Sequence, residues 1–170
     1  MKQTGSFFQK NTATFPAKTV LFVALLLCAM TTPARAQTTW TGATDTDWAT
    51  PSNWSAGVPG AAIDAIIPDV ANDPIIGAAA SAQSITVQSG AVLTIAAAVT
   101  LTINGFVTQG ILNQGTVENS GTLNIGQNTS TGLYGIRNES VFNNNTGGHI
   151  NIDRSTNTGL YNVSGGTFTN

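Results

Sequence analysis

Between Gly121 and Asn170 one unit is written twice, and no other feature limits the fold as much. Gly121-Thr-Leu-Asn-Ile-Gly-Gln-Asn-Thr-Ser-Thr-Gly-Leu-Tyr-Gly-Ile returns 27 residues on as Gly148-His-Ile-Asn-Ile-Asp-Arg-Ser-Thr-Asn-Thr-Gly-Leu-Tyr-Asn-Val. Gly121, Asn124, Ile125, Thr129, Thr131, Gly132, Leu133 and Tyr134 recur unchanged, and Val141-Phe-Asn-Asn is answered, one residue out of step, by Thr167-Phe-Thr-Asn170. A period of this size implies stacked supersecondary units, each unable to bury its apolar face alone. Thr100-Leu-Thr-Ile and Thr122-Leu-Asn-Ile, 22 residues apart, extend the pattern upstream.

Between them lie short glycine-aliphatic units, Gly110-Ile-Leu-Asn, Gly115-Thr-Val-Glu-Asn and Gly121-Thr-Leu-Asn. Asn and Gly stand where the chain must turn, positions that favour residues tolerant of positive φ. From Ser84 onward, Ile85 and Val87, Val92 to Ile95, and Val99 to Ile103 alternate with period two. Ladders such as Leu101, Leu123 and Ile150 are expected to stack at about 4.8 Å. The 27-residue offset also predicts Ile125 beside Ile152, Leu133 beside Leu160, and Phe142 near Phe168. On this reading Ile125→Asp unfolds the coils, whereas Asn145→Asp, in a turn, is tolerated. An antiparallel sandwich or barrel would need no such self-similarity. Disorder conflicts with 8% charged and 41% hydrophobic residues. The expected fold is all-β: a right-handed parallel β-solenoid with a Trp-rich N-terminal cap, preceded by a signal peptide.

Residues 1–36 read as that signal peptide. Lys2, Lys10 and Lys18 supply positive charge, Val20 to Met30 is an apolar run of 11 residues, and Ala34-Arg-Ala36 has the small-x-small form of a peptidase site. The run is short for a membrane anchor, and Leu27 before Cys28 does not suit lipid modification. Cleavage between Ala36 and Gln37 leaves 134 residues with Arg137 and Arg154 against all eight acids, about −6 in net charge, without lysine or cysteine. Such a chain lacks the basic footprint for nucleic acid, has no transmembrane helix after processing, and cannot use disulfides. Residues 37–82 read as the cap and a connection, with Pro74 and Gly77 arguing against a helix, and residues 83–170 as solenoid repeats. The sequence stops inside a repeat at Asn170, so it reads as the N-terminal part of a larger protein, or one that associates end to end.

All three tryptophans lie in Trp40-Thr-Gly, Asp47-Trp48 and Asn53-Trp54, ahead of Val58-Pro59 and Ile63-Asp-Ala-Ile-Ile-Pro68. This run resembles the start of many bacterial secreted surface proteins with parallel β-helix or autotransporter-passenger-like repeats, often adhesin-like. The resemblance covers residues 38–170. It implies a capped β-solenoid without catalytic residues.

Candidate chemistry is sparse. His149 stands in a Gly-Gly-His turn where the other copy has Thr122, with Asp153 nearby. The carboxylates of the coils, Glu118, Glu139 and Asp153, occupy non-equivalent repeat positions, so stacking is not expected to gather them as a lyase or glycosidase requires. Asp45 and Asp47, near Asn53, form a D-x-D pair that lacks the rest of a calcium loop and reads as turn-forming Asx residues. Trp40, Trp48 and Trp54 read first as buried cap packing and second as glycan contacts. Five sequons, at Asn53, Asn128, Asn138, Asn144 and Asn162, follow from composition. Thr129-Ser-Thr131 and Thr156-Asn-Thr158 recur in step, suggesting an ice- or crystal-binding row. The expectation is a secreted or cell-surface structural or adhesive protein, not an enzyme. It needs no cofactor or metal, and its partners are surface glycans or other envelope proteins. A glycan-binding or polysaccharide-degrading β-helix is the alternative.

Overall fold

The computed structural model describes residues 35–127, 132–153 and 155–170. It is all-β, a parallel β-solenoid of about five turns. Strand β1 (Gln37–Thr39) lies on the first coil, and a single 3-10 turn, Pro51–Asn53, belongs to the cap. The coils are β2 (Asp64–Ile67), β3 (Ile75–Ile76) and β4 (Ala80–Ala82); β5 (Ser84–Val87), β6 (Val92–Ile95) and β7 (Thr100–Ile103); β8 (Gln109–Asn113), β9 (Thr116–Asn119) and β10 (Thr122–Ile125); β11 (Tyr134–Asn138), β12 (Val141–Asn144) and β13 (His149–Ile152); then β14 (Thr158–Asn162) and β15 (Thr167–Thr169). Equivalent strands stack in three sheets, β1-β2-β5-β8-β11-β14 (sheet 1), β3-β6-β9-β12-β15 (sheet 2) and β4-β7-β10-β13 (sheet 3). The first coil therefore lies within residues 37–82. The small residues Ala80 and Ala82 are its inward positions, and they pair with Leu101 and Ile103.

Alternation sets which side chains face in. In β5, β6, β7, β9 and β10 the second and fourth residues are buried. Leu101, Leu123 and Ile150 form one inward ladder, Ile103, Ile125 and Ile152 the next. Phe142 and Phe168 are paired and stacked at 5.4 Å. Ile125 is fully buried, so a carboxylate there would lose its hydration without a partner. Asn145 proves less neutral than its turn position suggests, because its amide donates to Glu118 Oε2 at 3.0 Å. An aspartate there would set two carboxylates against each other.

The expected Leu133–Leu160 stack does not form. The 27-residue offset holds between β10 and β13 but becomes 24 between β11 and β14, where Ile136 pairs with Leu160 and Asn138 with Asn162. Leu133 is 46% exposed. Packing, not letter identity, sets the offset. Gln109-Gly-Ile-Leu-Asn113 and Tyr134-Gly-Ile-Arg-Asn138 both bury their second, third and fifth residues. Their second residue must be small: a Cβ on Gly135 would lie 2.5 Å from Ile152 Cγ2 and 2.6 Å from the Gly159 carbonyl. Thr158-Gly-Leu-Tyr-Asn162 follows the same formula, and so aligns with Tyr134, not with Thr131.

Two corners of the coil are built from asparagine. Along sheet 1, Ile67, Val87, Asn113, Asn138 and Asn162 share one column; along sheet 2, Ile95, Asn119 and Asn144 share another. Both columns change from aliphatic to amide at the third coil. In each, the amide N–H of one coil donates to the Oδ1 of the next: Asn113 to Asn138 and Asn138 to Asn162, each at 2.7 Å, then Asn119 to Asn144 at 2.7 Å and Asn144 to Asn170 at 2.5 Å. The second N–H closes the corner, with Asn113 donating to the Val141 carbonyl and Asn138 to those of Ser140 and Thr167. Asn113, Asn119 and Asn138 are fully buried. Positive φ has no part in this, since Ala98, at +60°, is the one non-glycine with positive φ among the described residues.

Asn138→Ala removes one rung of the ladder and leaves buried carbonyls without donors. It is expected to cost about 2–3 kcal/mol in urea unfolding, against less than about 0.5 kcal/mol for the exposed Asn151→Ala. Relieving the left-handed Ala98 by Ala98→Gly is expected to raise stability by about 1 kcal/mol in the same assay.

Candidate functional site

The tryptophan-rich segment closes the N-terminal end of the stack. Trp40, Trp48 and Trp54 are 0%, 2% and 5% exposed and belong to the continuous core. Trp54 is edge-on to both others, with ring centroids 5.1 Å from Trp40 and 4.6 Å from Trp48. Backbone bonds tie the segment to the first coil, Trp40 N–H donating to the Ile66 carbonyl at 2.8 Å and Trp48 N–H to that of Ile75 at 3.1 Å. Indole groups add Trp40 Nε1 to the Asn72 carbonyl at 2.7 Å and Trp54 Nε1 to that of Trp48 at 2.8 Å. The ring faces a sugar would stack on are therefore taken up by one another and by the coil beneath.

Gly42 completes the Trp-x-Gly element for a steric reason. Its φ is +56°, and a Cβ would lie 2.6 Å from the Asn72 carbonyl oxygen. Asn53 is the hub of the remaining elements and is fully buried. Its Oδ1 accepts the Thr44 N–H at 2.8 Å and the Asp45 N–H at 3.2 Å, while its amide donates to Asp45 Oδ1 at 2.7 Å and the Asp47 carbonyl at 3.0 Å. The D-x-D pair forms two successive Asx turns, Asp45 Oδ1 accepting from Asp47 N and Asp47 Oδ1 from Ala49 N, each at 2.9 Å. No group of three acidic, His or Cys side chains able to hold a metal occurs among the described residues.

The coil carboxylates stand on different elements, and Glu118 and Glu139 are engaged locally. Glu118 projects from the outer face of β9 and accepts from Asn143 at 2.7 Å. Glu139, in the β11–β12 corner, meets the Arg137 guanidinium at 2.6 Å and the Gln114 amide at 3.0 Å. Asp153 follows β13. His149 is the exposed first residue of that strand, not a turn residue, and continues the outward column Thr100–Thr122. Of the sequon asparagines, Asn53 and Asn138 are buried, and Asn144 and Asn162 belong to the ladders. Asn128, Thr129 and Thr131 lie outside the described residues, as do residues 1–34 of the expected leader. Thr158 registers with Tyr134, so the proposed threonine row loses its alignment.

What the sequence reading missed is an aromatic pair on the outer side of sheet 1. Tyr134 and Tyr161 stack at 5.0 Å with 18° between planes. Tyr161 is 42% exposed, and Leu133 and Val107 are more so. Recurrence of Tyr134 as Tyr161 in both copies was the available signal.

Residues 39–163 match a family described as a domain of unknown function (DUF8693). No curated protein and no solved structure matches the chain.

The cap makes a prediction on pH. Hydrogen bonds from Asn53 and then from the Asp47 backbone hold the Asp45 carboxyl below the usual aspartate range. A carboxylate with a lowered folded-state pKa stabilises above its unfolded value, and that contribution is lost as pH falls toward the folded one. Thermal melts are expected to drop in acid, and Asp45→Asn, which keeps the acceptor but not the charge, to flatten that part of the profile.

Proposed function

The chain belongs to the DUF8693 family, and from that premise we propose a structural and adhesive role without catalysis, for a protein exported by a cleaved leader and displayed outside a bacterial envelope. The observation that carries this reading is the uninterrupted stack of amide and aliphatic ladders: the coils spend their buried polar groups on holding one another in register. The outer columns are short polar side chains, such as Ser81–Thr102–Asn124–Asn151. Interrupting them are Tyr134 and Tyr161, with the exposed Leu133 just before β11, and together they offer weakly hydrated contacts to surface glycans or envelope proteins. Nucleic acid is not a partner on this reading.

Polysaccharide binding or cleavage at a built site is less favoured, because the tryptophans are packed inside and Glu118, Glu139 and Asp153 stand on different elements. In that case His149 and Asp153 would be the residues to watch. Weak single contacts add through effective concentration when several copies are displayed together. Beads carrying many copies are expected to adhere to glycan-coated or cell-envelope surfaces at densities where single chains wash off. No new reducing or unsaturated ends are expected from plant or algal polysaccharides. Robust turnover, abolished by His149→Ala or Asp153→Asn, would overturn the reading in favour of an enzyme.

A further inference from the structure

On the outer side of sheet 1 a shallow cleft already holds a cation. The Arg35 guanidinium lies 3.7 Å from Asp64 Oδ2 and donates to the Gly105 carbonyl at 3.4 Å. The other carboxylate oxygen, Asp64 Oδ1, accepts the Ser84 hydroxyl at 2.7 Å, which fixes the carboxylate and leaves Oδ2 to the cation. Ser84, Thr86, Val107 and Gln109 also line the cleft, and no charged group other than Arg35 and Asp64 does so among the described residues. The Asp64 side chain is 19% exposed, so its charge is less screened than a surface aspartate's.

Arg35 is the second-last residue of the expected leader. Gln37, the first residue after the cut, is the register partner of Asp64 in the parallel β1–β2 pair. The Asp64 N–H donates to the Ala36 carbonyl at 2.9 Å, so the bond to be cut lies within the sheet, beside Asp64. Cleavage there removes the guanidinium and that carbonyl together, and creates an α-ammonium on the adjoining nitrogen.

We propose that the Asp64 carboxylate is a binding site for the chain's own α-ammonium at Gln37, which takes the place of Arg35 once the leader is removed. The proposal rests on the leader reading above. It also implies an order of events: a peptide bond whose carbonyl is held in the ladder cannot lie extended in a peptidase, so cleavage precedes docking of β1. In the processed chain the ammonium restores the charge pair that the leader had supplied, and it anchors the first residue of sheet 1, where the Asp64 N–H has lost its acceptor.

Residues 37–170 contain no lysine, so this α-amine is their one primary amine, and its acylation is read by mass on the N-terminal peptide, apart from any acylation of Tyr134 or Tyr161. An ammonium paired with a carboxylate keeps its proton to higher pH. Its stabilisation is present below the unfolded α-amine value and lost as pH rises through the folded one. The full precursor is exported from a bacterial host, the first residue of the product is determined by mass, and acetic anhydride is applied across the titration of the amine. Folded chain is expected to acylate with a midpoint about one unit above that of the same chain in urea. Asp64→Asn should remove that difference, and Asp64→Glu should restore part of it. Equal midpoints for folded and unfolded wild-type chain would overturn the proposal, with no dependence on whether a variant folds. A product that does not begin at Gln37 would overturn the leader reading instead, and the mass shows this before any amine is measured.

Discussion

A buried primary amide has two donors and one acceptor oxygen to satisfy, and in the coils of this solenoid an asparagine one coil away, at the same height, takes one of those bonds. This requirement governs the coils from Asn113 onward. Asn113, Asn119 and Asn138 each give N–H groups to the next rung and to corner carbonyls; Asn138 accepts from the rung below, whereas Asn113 and Asn119, the first of their columns, accept from the backbone of their own corners. Aliphatic ladders tolerate sliding, since methyl groups of similar size pack in several offsets. An amide ladder does not tolerate it: a displaced rung strands buried polar groups at about 1–3 kcal/mol each. The asparagine columns are thus what single out one register from the several that a repetitive, small-residue sequence would otherwise permit.

The change from Val87 and Ile95 to Asn113 and Asn119 coincides with shorter corners. Four residues separate β5 from β6 and β6 from β7, but two separate β8 from β9 and β9 from β10. A two-residue corner is too tight to satisfy its own amides, so the side chain does it: Asn113 Oδ1 accepts the Gly115 N–H and Asn119 Oδ1 the Gly121 N–H, both at 3.2 Å. Wider corners keep glycine at positive φ, as at Gly90, Gly147 and Gly165. Corner length and column chemistry change together at the third coil, whereas the later corners after Asn144 and Asn162 return to four residues and keep the amide, which there donates to the Gly148 and Gly166 carbonyls.

Much of this was legible in the sequence. Period-two alternation located the strands, and self-similarity implied parallel stacking. Ile125–Ile152, Phe142–Phe168 and the Leu101–Leu123–Ile150 ladder followed directly. Three things were not legible. The first coil was hidden because Ala80 and Ala82 carry no hydrophobic pattern, though they face inward against Leu101 and Ile103. The register of β14 was misread because Gly-Leu-Tyr matches Gly-Leu-Tyr better than Gly-Ile-Arg-Asn matches Gly-Leu-Tyr-Asn, while sterics at Gly135 and the amide of Asn138 enforce the poorer match. The asparagines were assigned to turns by their backbone tolerance, when their side chains were the reason for their presence. In the cap, the tryptophans and Asn53 were visible as a motif, but a motif made for closure looks much like one made for binding until burial is known.

The two ends of the stack differ in what they ask of a neighbour. At the first coil, aromatic rings pack over the apolar cross-section and Trp40 and Trp48 N–H groups reach the Ile66 and Ile75 carbonyls, while β4 stands at the edge of sheet 3. At β13, β14 and β15, Ile152, Leu160 and Phe168 are half-buried, each packed on one side only. In a linear array, stability is close to a sum of interfaces between adjacent coils. The same geometry sets a narrow condition on anything that packs there. It must match an aliphatic face and also present amides level with Asn162 and Asn170, because apolar contact alone would bury those two groups with their ladder bonds unmade.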